Sequence, residues 1–82
     1  MQLNAYPNPV KDRITYAFET DTEGAYTVKV TDMAGRELLK KIRHAAKGEN
    51  GDDLVLQGFA SGVYLLIVEQ GPRHGRFKIS IQ

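Results

Sequence analysis

The sequence predicts an all-β domain, an antiparallel sandwich or barrel of six or seven short strands. Three observations lead there. Apolar and polar residues alternate with a period of two in segment after segment, as in strands with one buried face. Turn-forming residues separate those segments. Only one stretch, Arg36 to Lys47, carries helical periodicity.

Taken in chain order, Leu3 to Ala5 reads as a short edge strand. Tyr6 and Asn8 each precede a proline, which pushes them toward extended geometry. Pro7 and Pro9 fix their own φ and donate no backbone hydrogen bond. Tyr6 to Pro9 is therefore expected to be a stiff, extended connector outside any sheet. Ile14, Tyr16 and Phe18 then alternate with Thr15 and Ala17. Glu19 to Gly24, ETDTEG, reads as an acidic hairpin tip, and Tyr26, Val28 and Val30 mark the next strand. In TDMAGR, Asp32 is placed to accept backbone hydrogen bonds, and Gly35 takes positive φ without steric cost. This predicts a type I turn closed by a glycine bulge, with a hairpin around it.

Arg36 to Lys47 is ambiguous. Leu38, Leu39, Ile42, Ala45 and Ala46 fall at helical spacing, and Glu37 stands four residues before Lys41. A segment that follows a hairpin turn ordinarily forms its second arm, and local propensity yields to tertiary pairing. Arg36 to Arg43 is therefore expected as a strand and His44 to Asp52 as a loop. Leu54 and Leu56 mark a further strand. Tyr64, Leu66 and Val68, interleaved with Leu65 and Ile67, form the most apolar run and are placed centrally. Phe77, Ile79 and Ile81 mark the last strand. Tyr16, Phe18, Tyr26 and Tyr64 fall on the apolar alternation and are assigned to the core; Tyr6 is expected at the surface.

A chain of 82 residues makes one domain with a modest core. A net charge of +1 does not point to nucleic acid or a membrane surface. The absence of cysteine removes disulfides, thiolate metal sites and a thiol nucleophile. No apolar run approaches the length of a membrane span, and no signal-peptide pattern is visible. Met1 ahead of a polar, proline-rich lead-in reads as the start of an excised fragment, so the chain is expected to be one module of a longer protein.

Candidate chemistry is sparse. His44 and His74 are flanked by basic residues, and neither has a second His or Cys at ligand spacing. Ser61, His44 and Asp53 are the members of a conceivable triad, but SGVY lacks a nucleophile elbow. Glu19, Asp21 and Glu23, like Glu49 to Asp53, lack the ligand ladder of a calcium loop. No glycine-rich loop follows a strand and opens a helix, so no phosphate cradle is expected. Neither an enzyme nor any cofactor is therefore expected. Arg36, Lys40, Lys41, Arg43 and Lys47, with Arg73, Arg76 and Lys78, form one anionic-partner patch if the fold gathers them. Edge strands protected by charge account for the same residues.

Four pieces occur in a telling order: YPNPVKDRI, AYTVKVTDMAGREL, LVLQGFASGVYLLIVEQG and RFKISI. The series resembles the C-terminal sorting domain of type IX secretion cargo in Bacteroidetes, over roughly residues 4 to 82. Pro7, Asn8 and Pro9 match the first motif; Asp32, Gly35 and Arg36 match the second. Gly62, Val63 and Tyr64 match the third, and Lys78 with its apolar neighbours matches the fourth. Ile67 departs from the family pattern, where a polar residue is usual, and bears on whether that face is open to solvent.

The resemblance implies an immunoglobulin-like sandwich that follows a cargo domain in the same chain. Its partners are then the type IX translocon and a sortase-like surface peptidase that cuts upstream. The cargo would travel through the periplasm, cross the outer membrane, and be released or attached to lipopolysaccharide. On this reading the proline pair fixes how the linker leaves the sandwich and presents a cut site ahead of Asn4. Arg36 and Lys78 are either recognition contacts or turn and edge solubilisers. The competing class is a fibronectin-like or carbohydrate-binding accessory module. Such modules display coplanar exposed aromatics, whereas Trp is absent here and most tyrosines are assigned inside.

Overall fold

The structure is a computed structural model that describes Met1–Gln82. Seven strands follow in order: β1 (Leu3–Tyr6), β2 (Arg13–Thr20), β3 (Gly24–Asp32), β4 (Glu37–Ala45), β5 (Gly48–Val55), β6 (Gly62–Gln70) and β7 (Arg73–Ile81). They form a three-stranded sheet, β1-β2-β5, and a four-stranded sheet, β4-β3-β6-β7. Every strand pairing is antiparallel. The chain crosses between sheets after β2, β4 and β5, and the hairpins β3–β4 and β6–β7 stay within one. This is immunoglobulin-like connectivity with the fourth strand moved to the sheet of the third, sixth and seventh. The expected sandwich is thus the observed fold.

Period-two burial explains why the layers pack. Ile14, Tyr16 and Phe18 of β2 face Tyr26, Val28 and Val30 of β3 and Leu66 and Val68 of β6 across one core of 17 buried residues. Each such side chain contributes on the order of 1.5–3 kcal/mol on burial. Tyr16 and Phe18 stack at 6.4 Å, and Phe18 meets Tyr26 edge-on at 4.8 Å. The Tyr16 and Tyr26 hydroxyls, both inside, hydrogen-bond each other at 2.8 Å. At one end of the sandwich the Thr20 hydroxyl donates to Gln70 Oε1 at 2.6 Å, tying the sheets together. Gln70 Nε2 then donates to the Thr22 carbonyl. No buried side-chain polar atom lacks a partner, as a small core requires. β6 lies inside its sheet, as its apolar run predicts.

Three expectations need correction. His44 to Asp52 is not a loop: β4 continues to Ala45, and β5 begins at Gly48. The polar sequence GENGDD has no apolar alternation to reveal a strand, and pairing with β2 from Thr20↔Gly48 to Arg13↔Val55 imposes one. A Cβ at Gly51 would collide with the Tyr16 carbonyl oxygen, so the close approach of β5 to β2 requires glycine here. ETDTEG is not a hairpin tip, because β2 and β3 belong to different sheets and the segment bridges them.

The proline segment also differs from its expected form. Tyr6 pairs with Thr15 inside β1. Both X–Pro bonds, Tyr6–Pro7 and Asn8–Pro9, are cis, and residues 7–9 bend rather than extend. The bend carries the chain to the other sheet, where β7 captures it: Val10 N donates to the Ser80 carbonyl at 2.7 Å, and Gln82 N donates to that of Val10 at 2.9 Å. Of the two readings open for the basic residues, the single patch is not formed. β4 and β7 are opposite edges of the four-stranded sheet. The helical periodicity of Arg36 to Lys47 is overridden by the β3–β4 ladder, from Gly24↔Ala45 to Thr31↔Glu37.

Candidate functional site

The four sequence motifs meet at one end of the four-stranded sheet. The register places Asp32 of β3 beside Tyr64 of β6, and Tyr64 beside Ile79 of β7. Val63 pairs with Ser80, and Leu65 with Lys78. The first motif joins them through Asn8: its Nδ2 donates to the Lys78 carbonyl at 3.3 Å, and its Oδ1 accepts from Ser80 N at 3.0 Å. Segments 70 residues apart in sequence are thereby stapled.

The turn 32–36 has the geometry its residues predict. Gly35 N donates to the Asp32 carbonyl at 3.0 Å, Asp32 N donates to the Arg36 carbonyl at 3.0 Å, and Gly35 holds φ +89°. Asp32 Oδ1 accepts from the amides of Ala34 and Arg36, at 3.0 and 2.9 Å. Its Oδ2 accepts from Arg36 Nε at 3.0 Å. The Arg36 amide, aided by the guanidinium, holds the Asp32 carboxyl below its usual range.

Tyr64 does more than fill the core. Its hydroxyl donates to the Ala60 carbonyl, four residues back, at 2.6 Å. That is the tyrosine corner of immunoglobulin-like sandwiches, at the start of the sixth strand where such folds place it. Phe59 caps it edge-on at 5.6 Å. Sequence reasoning assigned the ring correctly and missed the hydroxyl; an apolar strand opening with Tyr shortly after a glycine-containing turn was the available signal.

Of the motif residues, Pro7, Asn8, Pro9, Gly35, Arg36, Gly62, Val63 and Lys78 are exposed, Asp32 is half-buried and Tyr64 is buried. The side chains of Asn8 and Asp32 are committed to internal bonds. Lys78 makes no ion pair, and Arg36 presents most of its side chain to solvent. Tyr6 is exposed, as expected.

The remaining candidates do not converge. His44 faces Glu23 at 3.7 Å, Asp53 accepts from the Thr15 hydroxyl at 2.7 Å, and Ser61 lies in the connection to β6. No group of three or more His, Cys, Asp or Glu side chains comes together. No helix is long and apolar enough to cross a membrane.

A family profile described as "Secretion system C-terminal sorting domain" matches residues 4–82. The chain belongs to that family. It is the sorting signal of type IX secretion cargo, and such cargo is secreted or attached to the cell surface by way of the outer membrane. The accessory-module alternative is not favoured by this match. No curated protein and no solved structure matches the chain significantly. The matched span begins inside β1 and ends at the last residue, so the sorting domain and the sandwich coincide.

Proposed function

We propose that the 82-residue domain is a non-catalytic export label of a longer cargo chain, read by the type IX translocon as a folded shape with a few exposed groups. The observation that carries this is the meeting of all four motifs at one end of the sandwich. Asn8, Asp32, Gly35 and Tyr64 build that end, and Arg36, Val63 and Lys78 project from it. A label made this way folds without disulfides beside any cargo. On the same reading, a sortase-like surface peptidase removes the domain after transport, cutting upstream of β1.

The proline pair takes a different role from the one expected of it. Residues 7–9 follow β1, and the Met1 carbonyl oxygen lies against Gly75, near the β6–β7 turn. An upstream linker therefore joins at the end of the sandwich opposite the motif cluster. Translocon contact and peptidase access then occupy opposite poles. The test fuses residues 1–82 to a periplasmic reporter in a cell with a working type IX system. Surface display that disappears when the domain is deleted supports the label. Retention in the periplasm with the domain intact and folded refutes it.

A further inference from the structure

We infer that Arg36, Leu38, Phe59 and Tyr64 form a docking groove for an extended segment of a partner protein, one carrying a carboxylate and an apolar side chain two residues apart. This rests on reading the domain as an export label and names the surface through which it is read. A depression of about 330 Å³ opens here, lined by these four residues with Gly58 and Ala60.

The arginine is held in place before any partner arrives. Asp32 is fixed by two backbone amides, and its second oxygen takes Arg36 Nε. That bond sets the plane of the guanidinium, whose side chain remains 77% exposed. The terminal nitrogens of Arg36 make no bond within the protein. A planar fork with one edge anchored and its end free is suited to bidentate capture of a carboxylate. Beside it, Leu38 is 40% exposed and stands outside the core. Phe59, half-buried against Tyr64, supplies an aromatic wall.

Two further features select the occupant. β4 pairs only with β3, so one side of its backbone is open to an added strand. Arg36 closes the turn immediately before β4 and Leu38 is the second residue of β4, so an added extended segment would meet them about two positions apart. Charge selects an acidic partner: β4 carries Lys40, Lys41 and Arg43 against Glu37 alone, and of those cations only Arg43 has an ion pair, with Asp52.

The first test titrates the chain with the acetylated, amidated peptide Thr-Glu-Thr-Leu-Thr and follows backbone amides by NMR. Shifts are expected at Arg36, Leu38 and Phe59 and along β4. The counterpart with glutamine for glutamate should bind about tenfold or more weakly, as should Arg36→Glu. Arg36→Lys should fall between, because it keeps the charge and loses the fork. Equal binding of the glutamine peptide, shifts elsewhere, or none overturns the groove. So does a concentration-dependent dimer that occupies β4. The second test repeats the reporter export with Arg36→Glu and Leu38→Asp, each checked for wild-type melting, and with Lys47→Glu as a charge control. Loss of display in the first two alone supports the groove. Display retained by Leu38→Asp and Arg36→Glu overturns the groove and leaves the export label standing. If the unaltered domain fails to reach the surface, the label reading falls, and the peptide titration alone decides the groove.

Discussion

Substituting Tyr16 and Tyr26 by phenylalanine, singly and together, tests how the core holds its one buried hydroxyl pair. The two rings are 0% and 4% exposed, and their hydroxyls bond each other at 2.8 Å. Neither hydroxyl has another protein partner. Tyr16→Phe therefore strands the Tyr26 hydroxyl, and Tyr26→Phe strands that of Tyr16. Leaving a buried polar group unpaired costs about 1–3 kcal/mol. The double substitution strands nothing: it leaves two oxygen-sized gaps in an otherwise apolar contact, at about 0–1 kcal/mol. The double variant should thus be more stable than either single one, with a coupling of at least about 1 kcal/mol. In a domain of this size each kcal/mol moves the melting temperature by about 4–8 °C, so the ordering is easily read. The assay is urea unfolding of all four proteins followed by circular dichroism. Single costs that add to the double cost within about 0.5 kcal/mol would refute the reasoning, because the hydroxyls would then be independently solvated.

Three further outcomes follow from the same packing. Burial, reinforced by the bond to Tyr26, pushes the Tyr16 phenol well above its ordinary range. The unfolded chain then releases that proton first, so stability should be flat near neutrality and fall above about pH 10; unfolding titrations of Tyr16→Phe should show a smaller fall. Gly51→Ala places a methyl group against the Tyr16 carbonyl oxygen and should cost about 1–3 kcal/mol by forcing β5 from β2. An unchanged urea midpoint would mean that this ladder is looser than drawn. Tyr64→Phe removes only the bond to the exposed Ala60 carbonyl and should cost about 1 kcal/mol, whereas Tyr64→Ala should cost about 3–5. A melting temperature of Tyr64→Phe equal to that of the unaltered chain would contradict the tyrosine corner.

Five strands were legible because each carries an apolar residue at every second position, and burial of one sheet face demands that pattern in the chain itself. The turn 32–36 was legible for a similar reason: Asp32 and Gly35 satisfy one another's geometry within five residues. β4 required tertiary context, since ELLKKIRHA suits a helix equally well, and pairing with β3 decides between them. β5 left no sequence signal at all over GENGDD. Leu54 marked only the end of its ladder; the rest is imposed by β2, and Gly51 acquires meaning only against the Tyr16 carbonyl.

The motif residues divide along the same line. The sequence by itself determined the sandwich, the core aromatics, the hairpin and the family, because alternation, turn chemistry and motif order are local properties of the chain. Only the tertiary structure decided that Asn8 reaches Lys78 and Ser80, that Tyr64 closes a corner onto Ala60, and that Met1 lies beside Gly75 at the opposite pole. Those facts depend on strand order and register across two sheets. Register is fixed by the summed fit of the whole core, which no short segment carries within itself.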